Sequence, residues 1–490
     1  MYKPSLEEAR RIAETGQYRV LPLSTEMYAD MTTPLDVLKK LKNVSRHCFI
    51  LESAEDTKNW GRYTFLGFDP TMEVTCLNGV MNIASNVTES FETDDPNRRI
   101  QEILDRYKSV KFDWLPPFTG GLVGYFAYDY AKYSEPSLKL DACDEERFND
   151  VDLMLFDRVI AFDHYRQKIV LIANVGAENI EAEYEKGKSR LEYLKSLIKS
   201  GLPEQTAAAS VKSGFKALFT KDEYCGMVNR AKDHIKEGDI FQVVLSNRFE
   251  ADFEGSIFDT YRVLRTINPS PYMFYFSGSN LEIAGASPET LVKLHDGKLF
   301  TFPLAGTRPR GATDQEDAAL EKELLADEKE LAEHNMLVDL GRNDLGKISK
   351  FGTVAVEKHM SILRFSHVMH IGSTVSGEIR EGKTGLDAIN AILPAGTLSG
   401  APKIRAMQII NGQERNKRGI YGGAIGYLDF TGNMDTCIAI RIVYRRNNKV
   451  FIRSGAGIVA DSNPEAEYTE CVNKSAAVMN ALTQSAGGLE

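Results

Sequence analysis

Apolar and polar positions change period several times along the chain, and those changes mark out its elements. Residues 158–175 read as two β-rich runs around a turn, and 177–198 as a charged amphipathic helix. Up to about residue 200, short strand-like runs alternate with polar helices. The small, polar stretch 201–210 follows as the best linker candidate. From Thr220 onward glycine-bounded strands become denser. At the far end, Asn463 can cap a helix, Pro464 suits its first turn, and Glu465 and Glu467 complement the positive end of its dipole. Helical spacing puts Cys471, Ser475, Met479 and Leu482 on a core-facing stripe, and Glu467, Glu470 and Lys474 together on another. The periodicity predicts an α/β protein.

Two neighbouring segments carry the strongest chemical signal. Residues 303–311 contain two prolines and two glycines and cannot be a helix, while Thr307, Arg308 and Arg310 could supply donors to an anion. Residues 327–344 read as an acidic helix with Glu330 and Glu333 about one turn apart on one face. An anion-reading loop beside a carboxylate helix suggests a metal bridging protein carboxylates and an acidic substrate.

Composition narrows the class. Hydrophobic and charged contents of 43% and 26% over 490 residues are those of a soluble globular protein of more than one domain. A net charge of −10 argues against a nucleic-acid partner, which would require a basic surface. It leaves a small dianionic substrate open, since local arginines and a cation override a distant net charge. The N-terminus lacks the apolar core of a secretory signal, and no apolar run is long enough to cross a membrane. Six scattered cysteines, with no Cys-x-x-Cys pair, fit reduced thiols in the cytoplasm better than zinc or a disulfide framework.

These segments, with residues 49–53, 268–273, 287–289, 394–403 and 455–457, resemble the chorismate-utilising enzymes on the anthranilate synthase component I branch. The resemblance implies helices packed around large, mainly antiparallel β-sheets. It implies an N-terminal region, 1–200, with a tryptophan feedback site, and a chorismate-binding catalytic domain, 211–486. It makes Glu333 and Glu470 magnesium ligands, with Glu330 in support. Glu289 matches the acid that protonates the departing 4-hydroxyl of chorismate, a task that needs a raised pKa, which burial beside another carboxylate could provide. His370 and Thr397 match positions near the reacting ring. Gly306, Thr307, Tyr421, Arg441, Gly455, Ala456 and Gly457 match the substrate contacts, and Lys474 is a further counter-charge. Arg441 is expected on an alternating strand, and glycines 455 and 457 where backbone N–H groups approach a carboxylate.

The resemblance also implies tryptophan binding at Ser53, Pro271, Tyr272 and Met273, although the family pattern usually begins with two leucines where this chain has Ile50 first. Family members that add water carry a lysine at the position of Gln242, and the aminodeoxychorismate branch carries one at the position of Ala305. Both departures favour ammonia as nucleophile and anthranilate as product. The chain has no recognisable glutaminase motif, so a glutamine amidotransferase subunit (component II) should supply the ammonia in a hetero-oligomer. Two motifs mislead. His367 and His370 lie three apart, on opposite faces of a strand, and cannot share a zinc ion. Residues 377–384 satisfy the P-loop pattern, but Glu378 and Glu381 would repel a phosphate, so this stretch is expected to be a hairpin or a strand–helix connection. A non-catalytic tryptophan sensor on the same fold remains an alternative.

Overall fold

The computed structural model describes residues 1–54, 60–205, 209–364 and 368–489. Among them, two large sheets carry 13 and 12 strands, and every strand pairing within them is antiparallel. Period-two alternation sorts side chains into layers. In the strand Cys48–Glu52, Phe49 enters an aromatic core shared by the two sheets, while Ile50 turns to the opposite face beneath helices. Helices Pro34–Val44, Ile180–Ser200, Phe258–Ile267 and Pro464–Ser485 cover that outer face of the first sheet. Pro96–Asp105, Glu328–Gly346 and Gly385–Ile392 cover the second sheet in the same way. The result is a helix–sheet–sheet–helix sandwich, and the α/β expectation with mainly antiparallel sheets holds.

Strands from both sides of the 201–210 stretch alternate within each sheet. Cys48–Glu52 pairs with Tyr272–Ser277, and Gly121–Phe126 pairs with Ala424–Asp429. The segments 1–200 and 211–486 therefore share all three large cores rather than packing as separate units. Sequence reading sees a polar linker but not the long-range pairing that crosses it. Of that linker, residues 206–208 lie outside the described residues.

Local expectations fare well. The two runs within 158–175 are strands Arg158–Asp163 and Lys168–Gly176, joined by a turn. The C-terminal helix runs Pro464–Ser485, with the Asn463 side chain accepting from the N–H groups of Glu465 and Ala466. Its buried stripe is Cys471, Ser475, Val478 and Leu482, with Met479 only half-buried. Residues 377–384 connect the strand Val368–Glu378 to the helix Gly385–Ile392, and the Lys383 ammonium is held by Asp387. No helix among the described residues is long and apolar enough to cross a membrane.

One buried ionic network ties the catalytic half together. Glu414 Oε1 is 2.6 Å from Arg418 Nη2, and its Oε2 is 3.0 Å from Arg453 Nη2; none of the three side chains is more than 1% exposed. Glu414 also accepts from the Ser246 N–H and hydroxyl. Arg418 donates to the carbonyls of Leu398 and Val244, and Arg453 to Asn416 and the Lys417 carbonyl. Burial alone would raise the Glu414 pKa, but Arg418 and Arg453 outweigh it and hold it below the ordinary value. Its contribution to stability is thus present above the ordinary carboxylate pKa and is lost as pH falls through the depressed one. Glu414→Ala would leave two buried guanidiniums uncompensated, and is expected to cost about 3–5 kcal/mol in denaturant unfolding. A loss under about 1 kcal/mol would show that the network does not bind the strands together.

Candidate active site

Several elements meet at one edge of the sandwich. The strand Glu282–Ser287 ends at Ser287, whose hydroxyl donates to the Ile438 carbonyl and fixes the turn that presents Glu289. Opposite it, the short 3₁₀ turn Gly396–Leu398 aims Thr397 Oγ1 at Glu289 Oε1, 3.0 Å away. Helix Glu328–Gly346 packs against this turn so closely that a Cβ on Gly396 would lie 1.7 Å from Leu340 Cδ2. A side chain at position 396 would have to displace Leu340.

Burial pushes the Glu289 carboxyl up to about 7, with Thr397 and the Lys474 charge opposing the rise. Of the expected burial beside another carboxylate, burial is the cause, and no second carboxylate contributes. Near pH 7 this group can both give and take a proton. Thr397→Val would remove the donor that favours the ionised form, and should move the Glu289 titration upward, read from its carboxyl infrared band. A downward or absent movement would contradict the hydrogen bond as drawn.

Cationic groups face this acid. Lys474 Nζ lies 2.6 Å from Glu470 Oε1 and 3.3 Å from the Gly455 carbonyl oxygen. Arg441 donates to the Lys474 carbonyl at 3.2 Å; burial lowers its pKa, while Tyr421 and Glu470 act the other way. Arg441 sits beyond the end of the strand Met434–Ile438 with φ of 55°, so its placement comes from a left-handed backbone rather than from strand alternation. Arg441, Glu470 and Lys474 line a cleft of about 590 Å³. Tyr421 is only 3% exposed and sits behind Arg441, with the Arg418 guanidinium 5.8 Å from its ring centre. It backs the site rather than facing the cleft.

His370 Nδ1 lies 2.9 Å from the Gly306 carbonyl oxygen and 3.1 Å from Thr307 Oγ1. A carbonyl can only accept, so Nδ1 carries the proton. Burial lowers the His370 pKa, so the ring is neutral near pH 7 with Nε2 as its basic nitrogen. Gly306, at φ 64°, forms the bulge in the strand Leu304–Pro309 that turns its carbonyl to His370. That strand replaces the expected anion-reading loop. Its arginines are already occupied: Arg308 binds Glu323 and Asp327, and Arg310 binds Asp317. Alternating charge in sequence did not reveal that the next helix would neutralise both. His367 lies outside the described residues.

Residues 455–457 belong to the strand Lys449–Ile458, paired with Gln242–Glu254. A Cβ at Gly455 would fall 2.6 Å from the Leu245 carbonyl oxygen, and one at Gly457 would lie 3.0 Å from the Gln242 amide nitrogen. The two glycines thus allow close strand approach and leave the Gln242 amide uncovered; Ala456 is fully buried.

Glu333 is raised by burial and by the negative charges of Glu330 and Glu470; Glu467 is raised by burial and Glu470. Carboxylates that gather on two facing helices are a suitable oxygen donor set for a hard divalent ion. No three of their oxygens are drawn together; among the described residues the group of three that is so close is His234, Glu237 and Asp239. Lys474 instead supplies the cation beside Glu470. Sequence reading missed Asp344 and Lys403, a buried pair at 3.0 Å that fastens the helix of Glu333 to the start of helix Lys403–Glu414. A polar residue on each helix gave no signal of the pairing.

Ser53 comes beside the other residues expected to bind tryptophan. Glu52 is opposite Met273 in the strand register, and the Ala54 N–H donates to the Ser270 carbonyl, so Ser53 is bracketed against Pro271 and Tyr272. Glu52 itself is structural, held by Arg265 and Tyr261.

A chain built this way defines a class: an acid raised by burial and a cationic cleft on paired antiparallel sheets. Residues 46–480 match the family described as chorismate binding enzyme, and the chain belongs to that family. It is 45% identical over 497 residues to anthranilate synthase component 1 of Acetivibrio thermocellus, covering 99% of each chain. It is 46% identical to the Aquifex aeolicus protein of the same name, covering 98% of this chain and 97% of that one. The crystal structure of anthranilate synthase component I from Streptococcus pneumoniae superposes with a TM-score of 0.74 at 38% identity, covering 85% of this chain and 92% of that chain. The menaquinone-specific isochorismate synthase of Escherichia coli, at 20% identity and a TM-score of 0.69, shares the fold.

Proposed function

We propose that this protein is the component I subunit of an anthranilate synthase, which aminates chorismate with ammonia and eliminates pyruvate to release anthranilate. The observation that carries the reading is the Glu289 carboxyl, raised by burial, held by Thr397 and facing the Lys474 charge, with Arg441 bonded to the Lys474 carbonyl and its charge bearing on His370. Arg441 and Lys474 offset the two carboxylates of the substrate. Ammonia adds its lone pair at C2, the ring double bonds shift, and the C4–O bond breaks as Glu289 protonates the leaving oxygen to give water. The amine then sheds its extra proton. In the second step the C2 proton is removed, the ring electrons close to the aromatic system, and the C3–O bond breaks, the departing enolpyruvate taking a proton at its methylene carbon to become pyruvate. His370, neutral near pH 7, is the base assigned to the C2 proton. Gln242, which cannot take up a proton as a lysine free base can, fits a nucleophile that needs no activation.

Glu333 and Glu470 would hold the magnesium ion, which supplies Lewis-acid neutralisation of a substrate carboxylate when bound. Ammonia comes from a separate glutamine amidotransferase subunit docked on this chain in the cytoplasm. Tryptophan binds at Ser53, Pro271, Tyr272 and Met273 and slows the catalytic half. Its route to the acid is short, since Tyr272 Oη is 2.9 Å from the hydroxyl of Thr290, the neighbour of Glu289.

The test is turnover of chorismate by the purified chain with magnesium and an ammonium salt, following anthranilate fluorescence and pyruvate. Both products should form, and tryptophan should suppress them; amination without pyruvate would point to an aminodeoxychorismate synthase. Tryptophan binding with no turnover would favour the sensor. Glu289→Gln should lose about 10²–10⁴-fold in kcat with its fold intact, since general-acid catalysis contributes that much. In the unaltered enzyme, kcat should fall as pH rises above about 7, where Glu289 loses its proton. A kcat that stays flat to pH 9 would remove Glu289 as the acid. Glu470→Ala should abolish magnesium-dependent turnover; full activity would sink the metal assignment.

A further inference from the structure

A second cavity, of about 190 Å³, opens between the two sheets at the end remote from Met273 and Ser287. The strand Tyr272–Ser277 runs from the Ser53 region to this cavity, so Met273 and Ser277 are about 13 Å apart along it. No residue of the catalytic cleft lines it. One wall is apolar, formed by Met154, Phe276 and Ile283. The other is polar and arises from strand register. Thr75 and Tyr125 flank Asp152 on neighbouring strands and project on the same side of the sheet.

Three groups here, the Ser277 hydroxyl among them, lack the partners that buried polar atoms normally find. Tyr125 is 2% exposed, and its hydroxyl has no hydrogen-bond partner among the described residues. Arg446 donates through Nη1 to the Arg147 carbonyl, yet its buried Nε–H has none. Asp152 accepts from the Asn149 amide at 3.0 Å. Burial raises its carboxyl to about 6, with Glu73 adding to the rise and Arg446 and His47 opposing it. At the rim, His47 and Glu73 satisfy each other at 2.9 Å, and Ser279 bonds the same imidazole nitrogen. With that pair neutralised, one carboxylate, one guanidinium, one phenol and the Ser277 hydroxyl remain facing an apolar wall.

We infer that this cavity is a binding site for a zwitterionic α-amino acid, distinct from the catalytic cleft and from the Ser53 region. The ammonium would pair with Asp152, the carboxylate would accept from Arg446 Nε and the Tyr125 hydroxyl, and the side chain would lie on Phe276 and Ile283. The volume is several times the ~30 Å³ share of one water, which suits a molecule of this size. A ligand bearing one charge of each sign matches a cavity that offers one of each, whereas an anion or a cation alone would leave a charge unpaired.

The inference does not depend on the reaction at the other cleft. Its test is titration calorimetry of the full-length protein with each standard L-amino acid in turn, at about pH 7.5. One or more should bind. Asp152→Asn and Tyr125→Phe, which keep the shape of the cavity, should each raise that dissociation constant about tenfold, the scale of one charge-assisted or buried hydrogen bond. Ser53→Ala should leave it unchanged. Absence of binding by every amino acid would mean that the cavity holds water only, and would overturn the inference. So would binding that both cavity variants retain in full, including tryptophan binding lost only in Ser53→Ala.

Discussion

Everything the catalytic half presents depends on one buried carboxylate. Glu414 accepts from Arg418, Arg453 and Ser246, and these three sit on different elements: the loop before Ala424–Asp429, the strand Lys449–Ile458 and the strand Gln242–Glu254. Arg418 carries the constraint onward to the Leu398 carbonyl, next to Thr397. Desolvating three charged groups is costly, and only their complete hydrogen bonding makes the arrangement tolerable. In return the network admits a single register. A slip of one residue in either strand would turn Arg453 or Ser246 out of the network. The glycines at 455 and 457 and the amide of Gln242 are thus held opposite the turn that aims Thr397 at Glu289.

Opposed electrostatic demands are met a few residues apart. The Glu289 carboxyl is held toward its protonated form by burial, with no second carboxylate contributing. Glu333, Glu467 and Glu470 lie where like charges accumulate, and their mutual repulsion favours any cation that enters. Lys474 stands between the two, close to Glu289, Glu470 and the Gly455 carbonyl. The buried pair Lys403–Asp344 keeps the helix bearing Glu333 against the loop that follows Thr397. Positioning in this site therefore comes from ionic contacts between helices as much as from the sheets.

Much of the site was legible in residues that carry their own chemistry. Glu289 follows a Ser-Pro that breaks a strand, the acidic helix announces itself by spacing, and Asn463 and Pro464 mark the start of the last helix. Less legible was anything that required knowing a partner. Arg308 and Arg310 look like free anion donors until Glu323, Asp327 and Asp317 are folded against them. Arg441 reads as a strand residue but has a left-handed backbone.

Local periodicity, capping residues and turn formers determined which segments became helices and strands, because those preferences act over a few residues. Together with family-specific motifs they also marked which side chains could be acid, base or metal ligand. Tertiary structure alone decided how strands from both ends of the chain would alternate in two sheets, and so which charges would meet. Pairing at separations of hundreds of residues leaves no periodic trace. The pKa of Glu289, the occupancy of Arg308, the register locked by Glu414 and the cavity beside Tyr125 all arise from neighbours supplied by distant strands and helices. Burial and charge are properties of the packed surroundings, and no residue carries them alone.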